Sequence, residues 1–114
     1  MRNKPNLLLK RNEEKAIGEF KREVFKRFPH AQFILYGSKA RGDPEEFSDI
    51  DILVLLDEEI DTRVEDTIFD IAYDIELKFD VVISVIVESK QFWESELSKA
   101  MPLHWSVEKE GVAV

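Results

Sequence analysis

Hydrophobic residues near the start of the chain recur at helical spacing. After a loose basic lead-in over residues 1–11, apolar side chains return every three or four positions, at Ile17, Phe20, Val24 and Phe28. This spacing predicts an amphipathic helix with one apolar face. Asn12 can cap its start, and Pro29 ends it because the residue before a proline disfavours helical geometry.

Continuous apolar runs predict three buried strands further along the chain. They cover residues 31–36, 50–56 and 79–87. Between the last two runs, apolar residues return at helical spacing and predict a helix over residues 62–77 with an acidic outer face. The alternation of helices and strands predicts an α/β (α+β) fold, a small sheet covered by helices.

The C-terminal quarter carries helix signals instead of strand signals. Ser89 can cap a helix that runs through about Lys99, and Pro102 is well placed to open a last helix that Gly111 ends. We expect Phe92, Trp93 and Trp105 to complete the core, with an exposed partner-binding patch as the alternative. Tyr73, on the acidic helix, is predicted to be half-buried.

The composition narrows the class of protein. With 114 residues, 44% of them hydrophobic, the chain has the size and apolar content of a single globular domain over residues 1–114. The absence of cysteine excludes a disulfide framework and a cysteine-ligated zinc site. No apolar run approaches the ~20 residues that span a bilayer. The sequence therefore predicts a cytoplasmic protein with no membrane partner.

Charge is unevenly distributed along the chain. The net charge is −8, but residues 1–28 carry nine Lys and Arg against four Glu, whereas residues 43–80 carry fifteen Asp and Glu against two cations. Repulsion from phosphates disfavours non-specific binding of so acidic a chain to nucleic acid, so we expect no independent nucleic-acid binding. Most of these carboxylates are expected to form a solvated helix face.

Two aspartates at the start of the second predicted strand share one face. Asp49 and Asp51 are two positions apart, so their side chains point the same way, roughly 7 Å apart, while Ile50 points to the opposite face. Like charges at the mouth of a buried strand are unfavourable unless a cation neutralises them. Mg²⁺ usually takes one or two carboxylates together with substrate phosphates, and Mn²⁺ accepts the same ligands. The pair therefore predicts a metal site.

A turn directly after the first predicted strand supplies a candidate phosphate site. Gly37 permits a sharp turn and a close approach of backbone to ligand, and N–H groups exposed at such a turn bind anions. The Ser38 hydroxyl can add a hydrogen bond, and the Arg41 guanidinium is a fork-shaped phosphate donor. The turn Gly42-Asp43-Pro44 then sends the chain back, which predicts that Asp49 and Asp51 lie beside Gly37.

A third aspartate could complete the site. Asp80 lies near the start of the third predicted strand, between Phe79 and Val81. It could act as a metal ligand or as the general base for an acceptor hydroxyl, and three carboxylates can bridge two metal ions. The alternative is a strand-end aspartate that is exposed to solvent or caps a turn.

The segment Gly37-Ser38-Lys39-Ala40-Arg41-Gly42, followed by Ser48-Asp49-Ile50-Asp51, resembles the signature of the minimal nucleotidyltransferases of the polymerase-β superfamily. The resemblance implies a mixed sheet with helices and a transfer of nucleoside monophosphate that uses two Mg²⁺ ions. It also implies that Gly37 and Ser38 hold the triphosphate, that Asp49 and Asp51 bind the metals and that Asp80 completes the triad. Arg41 matches the motif as well.

Members of this size resemble the antitoxins that are paired with an all-helical ribonuclease toxin of the HEPN class. The resemblance implies ATP or another nucleoside triphosphate as donor and a tyrosine hydroxyl of the HEPN toxin as acceptor, hence an adenylyltransferase. The competing hypothesis is a non-catalytic antitoxin or regulatory subunit that binds nucleotide and blocks its partner sterically. A calcium-binding module is disfavoured because Asp49 and Asp51 lie in a strand and not in a loop rich in ligands.

Overall fold

The computed structural model describes Leu7, residues 9–42 and residues 49–114. Most of the predicted lead-in and the predicted Asp43-Pro44 turn lie outside the described residues. The helices are α1 (Arg11–Phe25), α2 (Gly37–Arg41), α3 (Thr62–Phe79), α4 (Lys90–Trp93), α5 (Glu96–Lys99) and α6 (Pro102–Glu110). The strands are β1 (Gln32–Tyr36), β2 (Ile50–Leu56), β3 (Ile83–Ser89) and β4 (Val112–Ala113).

The four strands form one mixed sheet in the order β3-β2-β1-β4. β1 pairs antiparallel with β2 and with β4, whereas β2 and β3 are parallel, since α3 connects them. Tyr36 stands opposite Asp51 in one pair, and Ser84 stands opposite Asp51 in the other. The predicted fold class, a small mixed sheet flanked by helices, is confirmed.

Helices cover both faces of the sheet. On one face α1 and α3 pack on the inward side chains of β1 and β2, with Phe20, Ile52 and Ile68 fully buried. On the other face Trp93 of α4 and Val107 of α6 pack on Leu53. The alternation predicted for the second strand is therefore confirmed, because its even-numbered residues face α1 and α3 while its odd-numbered residues face α4 and α6.

The predicted boundaries of α1 and β3 were wrong. α1 begins one residue before Asn12, which does not cap it; the amide Nδ2 of Asn12 instead donates to the carbonyl of Phe79 at the end of α3 (3.0 Å). α3 therefore extends through Phe79, and Asp80 is its C-cap in the left-handed region (φ 55°). The third strand starts at Ile83 and not at Phe79, because residues 79 and 80 complete the helix.

The C-terminal region also departs from the predicted pattern. The helix expected from Ser89 to about Lys99 is divided in two, because Ser95 caps a new helix by accepting a hydrogen bond from the N–H of Ser98. α6 follows as predicted, and β4 was not predicted. Trp93 is buried, but Trp105 is exposed and does not complete the core. None of the helices in the described part of the chain combines the length and apolar content of a membrane span.

Candidate functional site

The carboxylate pair lies where β2 begins. Asp51 is the second residue of the strand and is partly buried, whereas Asp49 precedes the strand and is exposed. Asp51 points to the face of the sheet that Leu53 and Leu55 share with α4 and α6. The apolar residues that follow hold the strand in place and leave Asp51 at the edge of the core.

The backbone of Gly37 lies directly against the carboxylate of Asp51. Gly37 follows β1 with φ +75°, in the left-handed region that glycine adopts readily. A β-carbon at this position would overlap Asp51 Oδ2 and would lie 3.2 Å from its Cγ. The pairing of Tyr36 with Asp51 produces this approach, since it places the next residue of the chain beside the carboxylate. The structure therefore brings together the predicted phosphate turn and the predicted metal ligand.

We expect Gly37→Ala to abolish nucleotide binding while costing only about 1–2 kcal/mol of stability, the strain of alanine at positive φ. The overlap can be relieved by turning the Asp51 side chain aside, which displaces the metal ligand. Gly42→Ala is the matched control, because Gly42 has φ +77° and none of the described atoms lies within 4 Å of its β-carbon. Urea unfolding and calorimetric titration with Mg²⁺-ATP measure the two effects. Equal loss of binding in both variants would contradict the role of the contact.

α2 carries the other residues of the predicted phosphate site. Ser38 is partly buried in its first turn. Lys39 is buried and forms an ion pair with Glu13 of α1, with 2.6 Å between Nζ and Oε2. Arg41 Nη1 lies 3.2 and 3.1 Å from the two carboxylate oxygens of Glu110, at the end of α6. α2 is therefore anchored by ion pairs to α1 on one side and to α6 on the other.

The charges around Asp51 have a direct electrostatic effect. Burial raises the pKa of Asp51 above its ordinary value, the negative charges of Asp49 and Glu110 raise it further, and the Arg41 guanidinium opposes them. Burial and the charge of Asp51 raise the pKa of the Tyr36 phenol to about 12. The negative charge of ionised Asp51 is therefore only partly offset by nearby positive charge, and a bound cation would stabilise it.

Asp80 is not brought beside Asp51. It is exposed at the C-cap of α3, and it is not one of the charged groups that shift the pKa of Asp51 in the described part of the chain. Ser84 occupies the position on β3 opposite Asp51 and is exposed. Among the described residues, no group of three or more Asp, Glu, His or Cys side chains could hold a metal ion.

The residues present fit a Mg²⁺ ion that is completed by substrate. Asp49 and Asp51 supply two carboxylates, and an Mg²⁺ site of this kind takes its remaining ligands from phosphates and water. The raised pKa of Asp51 is consistent with such a site, since burial is its largest cause and the negative charge of Asp49 adds to it, and a bound cation would oppose both effects. Asp49 and Asp51 are therefore the residues that could hold the metal.

Glu110 is a site residue that the sequence pattern did not single out. It lies 69 positions from Arg41 in the chain, so no spacing rule connects the two. The two-residue strand β4 brings it into place, because Val112 pairs with Leu35 two residues before Gly37.

Comparison with known proteins identifies the family of the chain and related sequences. The profile of the family described as "Nucleotidyltransferase domain" matches residues 17–107. Two proteins of Methanocaldococcus jannaschii, both provisionally named protein adenylyltransferases, are similar in sequence. One is 38% identical over 102 residues, which cover 88% of this chain and 95% of the relative. The other is 38% identical over 76 residues, which cover 65% of this chain and 77% of the relative.

Solved structures share the fold. A toxin–antitoxin structure with AMP-PNP superposes with a TM-score of 0.56 at 22% identity, and the match covers 88% of this chain and 70% of that chain. A mutant of the toxin–antitoxin MntA–HpeT superposes with a TM-score of 0.55, also at 22% identity, over 89% of this chain and 70% of that one. At this identity the likeness establishes the architecture of the sheet and its helices.

Proposed function

Because the chain belongs to the nucleotidyltransferase family, we propose that it transfers the monophosphate of a nucleoside triphosphate, AMP from ATP, to a hydroxyl group of a partner protein. The observation that carries this proposal is the contact of Gly37 with Asp51. A backbone turn suited to phosphates and a carboxylate suited to a metal lie side by side, as transfer from a triphosphate requires. The names of the two archaeal relatives support a protein as acceptor.

Each residue of the site has a distinct role in this proposal. Gly37 and Ser38 hold the triphosphate, and Arg41 exchanges its contact with Glu110 for a phosphate oxygen. Asp49 and Asp51 would hold two Mg²⁺ ions when the substrate is bound. Mn²⁺ would be able to replace Mg²⁺ at these positions. The bound metal would neutralise the charge that develops on the phosphates.

The transfer is an in-line displacement. The acceptor oxygen forms a bond to the α-phosphorus, the bond from that phosphorus to the bridging oxygen breaks, and pyrophosphate leaves. The acceptor proton passes to a carboxylate, for which we propose Asp80. It is exposed, and it lies at the same end of the sheet as Asp49, since it comes two residues before Val82, whose carbonyl accepts from the N–H of Ile50 (2.8 Å).

We further propose that the acceptor is a tyrosine of a HEPN-class toxin and that the modification silences the toxin. The fold shared with the two toxin–antitoxin structures supports an antitoxin role, and the resemblance of the Gly37–Asp51 segment supports the HEPN class.

The test is a labelling assay with purified protein, a candidate HEPN-class partner protein, Mg²⁺ and α-³²P-ATP. We expect label on a tyrosine of the partner and no label when EDTA replaces Mg²⁺. Asp80→Asn should reduce the rate of transfer by about 10²-fold or more with nucleotide binding retained, because a missing base affects the transition state more than the ground state. Transfer at the wild-type rate in Asp80→Asn would remove Asp80 from the mechanism.

Toxin neutralisation gives a second readout. If a variant in which Asp49, Asp51 and Asp80 are all replaced by Asn neutralises the toxin as well as the wild type at matched expression, and no label moves, the enzyme proposal fails. The chain would then act as a steric antitoxin.

A further inference from the structure

An apolar stripe runs along the outer face of α3. Phe69, Tyr73 and Leu77 are four residues apart, so they follow one another on the same face of the helix. Their exposed fractions are 42%, 60% and 68%, whereas Ile68 and Ile75 on the opposite face are buried against the sheet. Tyr73 is therefore not half-buried as predicted, and the stripe is more apolar than the solvated face that its acidic neighbours indicated.

Phe69 and Tyr73 lie on the side of α3 that is turned toward the edge of the sheet, and Leu77 continues the stripe on the outer face of the helix. On the opposite side of the helix, Lys78 bonds to Glu19 of α1 (3.1 Å). On the near side, Glu76 Oε2 accepts a hydrogen bond from the N–H of Ile83 (2.9 Å), in the outermost strand β3. Phe69 and Tyr73 lie within about 60° of Glu76 around the helix axis. They therefore flank β3 and not α1.

Exposed positions continue from the stripe to the carboxylate site. Beyond Leu77 the chain passes through Asp80 to Val82, which is 55% exposed, and then to Ser84, which stands opposite Asp51. A protein that covers the stripe would therefore also reach the end of the sheet where Asp49 and Asp51 lie.

The charges beside the stripe indicate what covers it. Residues 57–80 contain ten Asp and Glu but only two Lys and Arg. A second copy of this chain would bring the same acidic surface against itself across a two-fold axis, and like charges at such an interface are unfavourable. A partner with apolar residues between lysines or arginines would match both the stripe and its border.

We propose that Phe69, Tyr73 and Leu77 form the docking surface for the acceptor protein, which covers them with a basic, apolar-faced helix and so brings its hydroxyl to Asp51. This proposal rests on the proposed function for the identity of the partner as acceptor. Apolar side chains give the contact its affinity, and the acidic border gives it its specificity.

Leu77→Gln tests the surface, and Leu97→Gln is its matched control, because the two leucines are 68% and 67% exposed. Leu77 lies on α3, which covers one face of the sheet, and Leu97 lies on α5, which contacts α4 and α6 on the other face. Glutamine keeps the net charge and the helix propensity. The first probe is an 18-residue synthetic helix with leucines at four-residue spacing between lysines. Its binding is measured by fluorescence anisotropy. The second is the same helix with glutamates in place of the lysines.

We expect the lysine peptide to bind the wild type and Leu97→Gln equally, and Leu77→Gln about tenfold more weakly. The glutamate peptide should not bind. Equal affinities for both variants, or equal affinities for both peptides, would overturn the proposal. So would a wild-type dimer in sedimentation that Leu77→Gln converts to a monomer, since a second copy would then cover the stripe.

The peptide assay needs no nucleotide and no transfer, so it gives a result even if the chain has no transferase activity. In the labelling assay, Leu77→Gln should raise the concentration of acceptor that gives half-maximal labelling about tenfold and leave the binding of Mg²⁺-ATP unchanged. An unchanged half-maximal concentration would overturn the role of the stripe in presenting the acceptor, whereas absence of label in the wild type would count against the proposed function alone.

Discussion

Glu13→Ala is expected to lower the free energy of unfolding by about 3–5 kcal/mol, because it leaves the ammonium group of Lys39 buried without its partner. The side chains of Glu13 and Lys39 are only 7% and 5% exposed, and the other oxygen of Glu13 accepts the N–H of Lys10 at 2.8 Å. Removing the carboxylate therefore deprives two donors of their acceptor at once. A loss of this size is a large part of the stability of a small domain and should lower the melting temperature by roughly 10–20 °C.

Glu14→Ala is the control for this prediction. Glu14 is the next residue of α1 and carries the same charge, but it is exposed, so its replacement should change stability by less than about 0.5 kcal/mol. Urea unfolding of both variants provides the measurement. Equal small losses would show that the Lys39 ammonium is hydrated and that the pair is not buried in solution.

Replacing both Glu13 and Lys39 distinguishes the effect of burying these side chains from the effect of their charges. Glu13→Leu combined with Lys39→Met should recover most of the stability, because an apolar pair needs no compensation. Lys39 follows Ser38 directly, so the double variant also reports whether the ion pair holds α2 in the orientation that the site requires. Recovered stability with nucleotide binding still impaired would identify Glu13 and Lys39 as positioning residues.

The sequence could predict those parts of the fold whose determinants are local. The bounds of β2 were predicted without error. Its seven residues are all apolar except Asp51 and are bounded by polar residues, a pattern that indicates a buried strand. The boundary between α3 and β3 could not be predicted, because the apolar run across Phe79 and Val81 suits a helix end as well as a strand start. What decides it is a contact from Asn12, 67 positions away.

The candidate site could likewise be predicted only where its determinants are local in the sequence. Gly37 and Asp51 could be placed together from sequence, because β1 and β2 follow each other among the strands of the chain and pair antiparallel. Glu110 could not be placed, since its position depends on the pairing of β4, a strand too short to show alternation. The ion pair of Glu13 with Lys39 also escaped prediction, since both residues occur in segments that suit a solvated helix surface.

Asp51→Asn is expected to reduce metal-dependent transfer by roughly 10³-fold, the effect of losing several kcal/mol of transition-state stabilisation when a metal ligand is removed. We also expect Mg²⁺-ATP to raise the melting temperature of the wild type and not that of Asp51→Asn. The amide has almost the same shape as the carboxylate, so the contact with Gly37 is kept while the charge is lost. Glu94→Gln, at an exposed carboxylate directly after α4 and outside the acidic segment 57–80, is the control and should leave both properties unchanged.

The same substitution should leave the stability of the ligand-free protein unchanged or raise it. The pKa of Asp51 is raised in the folded protein, so its ionised form is less favourable there than in the unfolded chain. The stability that the Asp51 carboxyl group contributes is therefore present at acid pH and is lost as the pH rises through the folded pKa. At neutral pH the neutral amide relieves that penalty, and the advantage of Asp51→Asn over the wild type should shrink as the pH falls. Urea unfolding at neutral and acid pH measures the difference. Marked destabilisation of Asp51→Asn with nucleotide binding retained would make Asp51 a structural residue and would remove the metal ligand on which the proposed transfer depends.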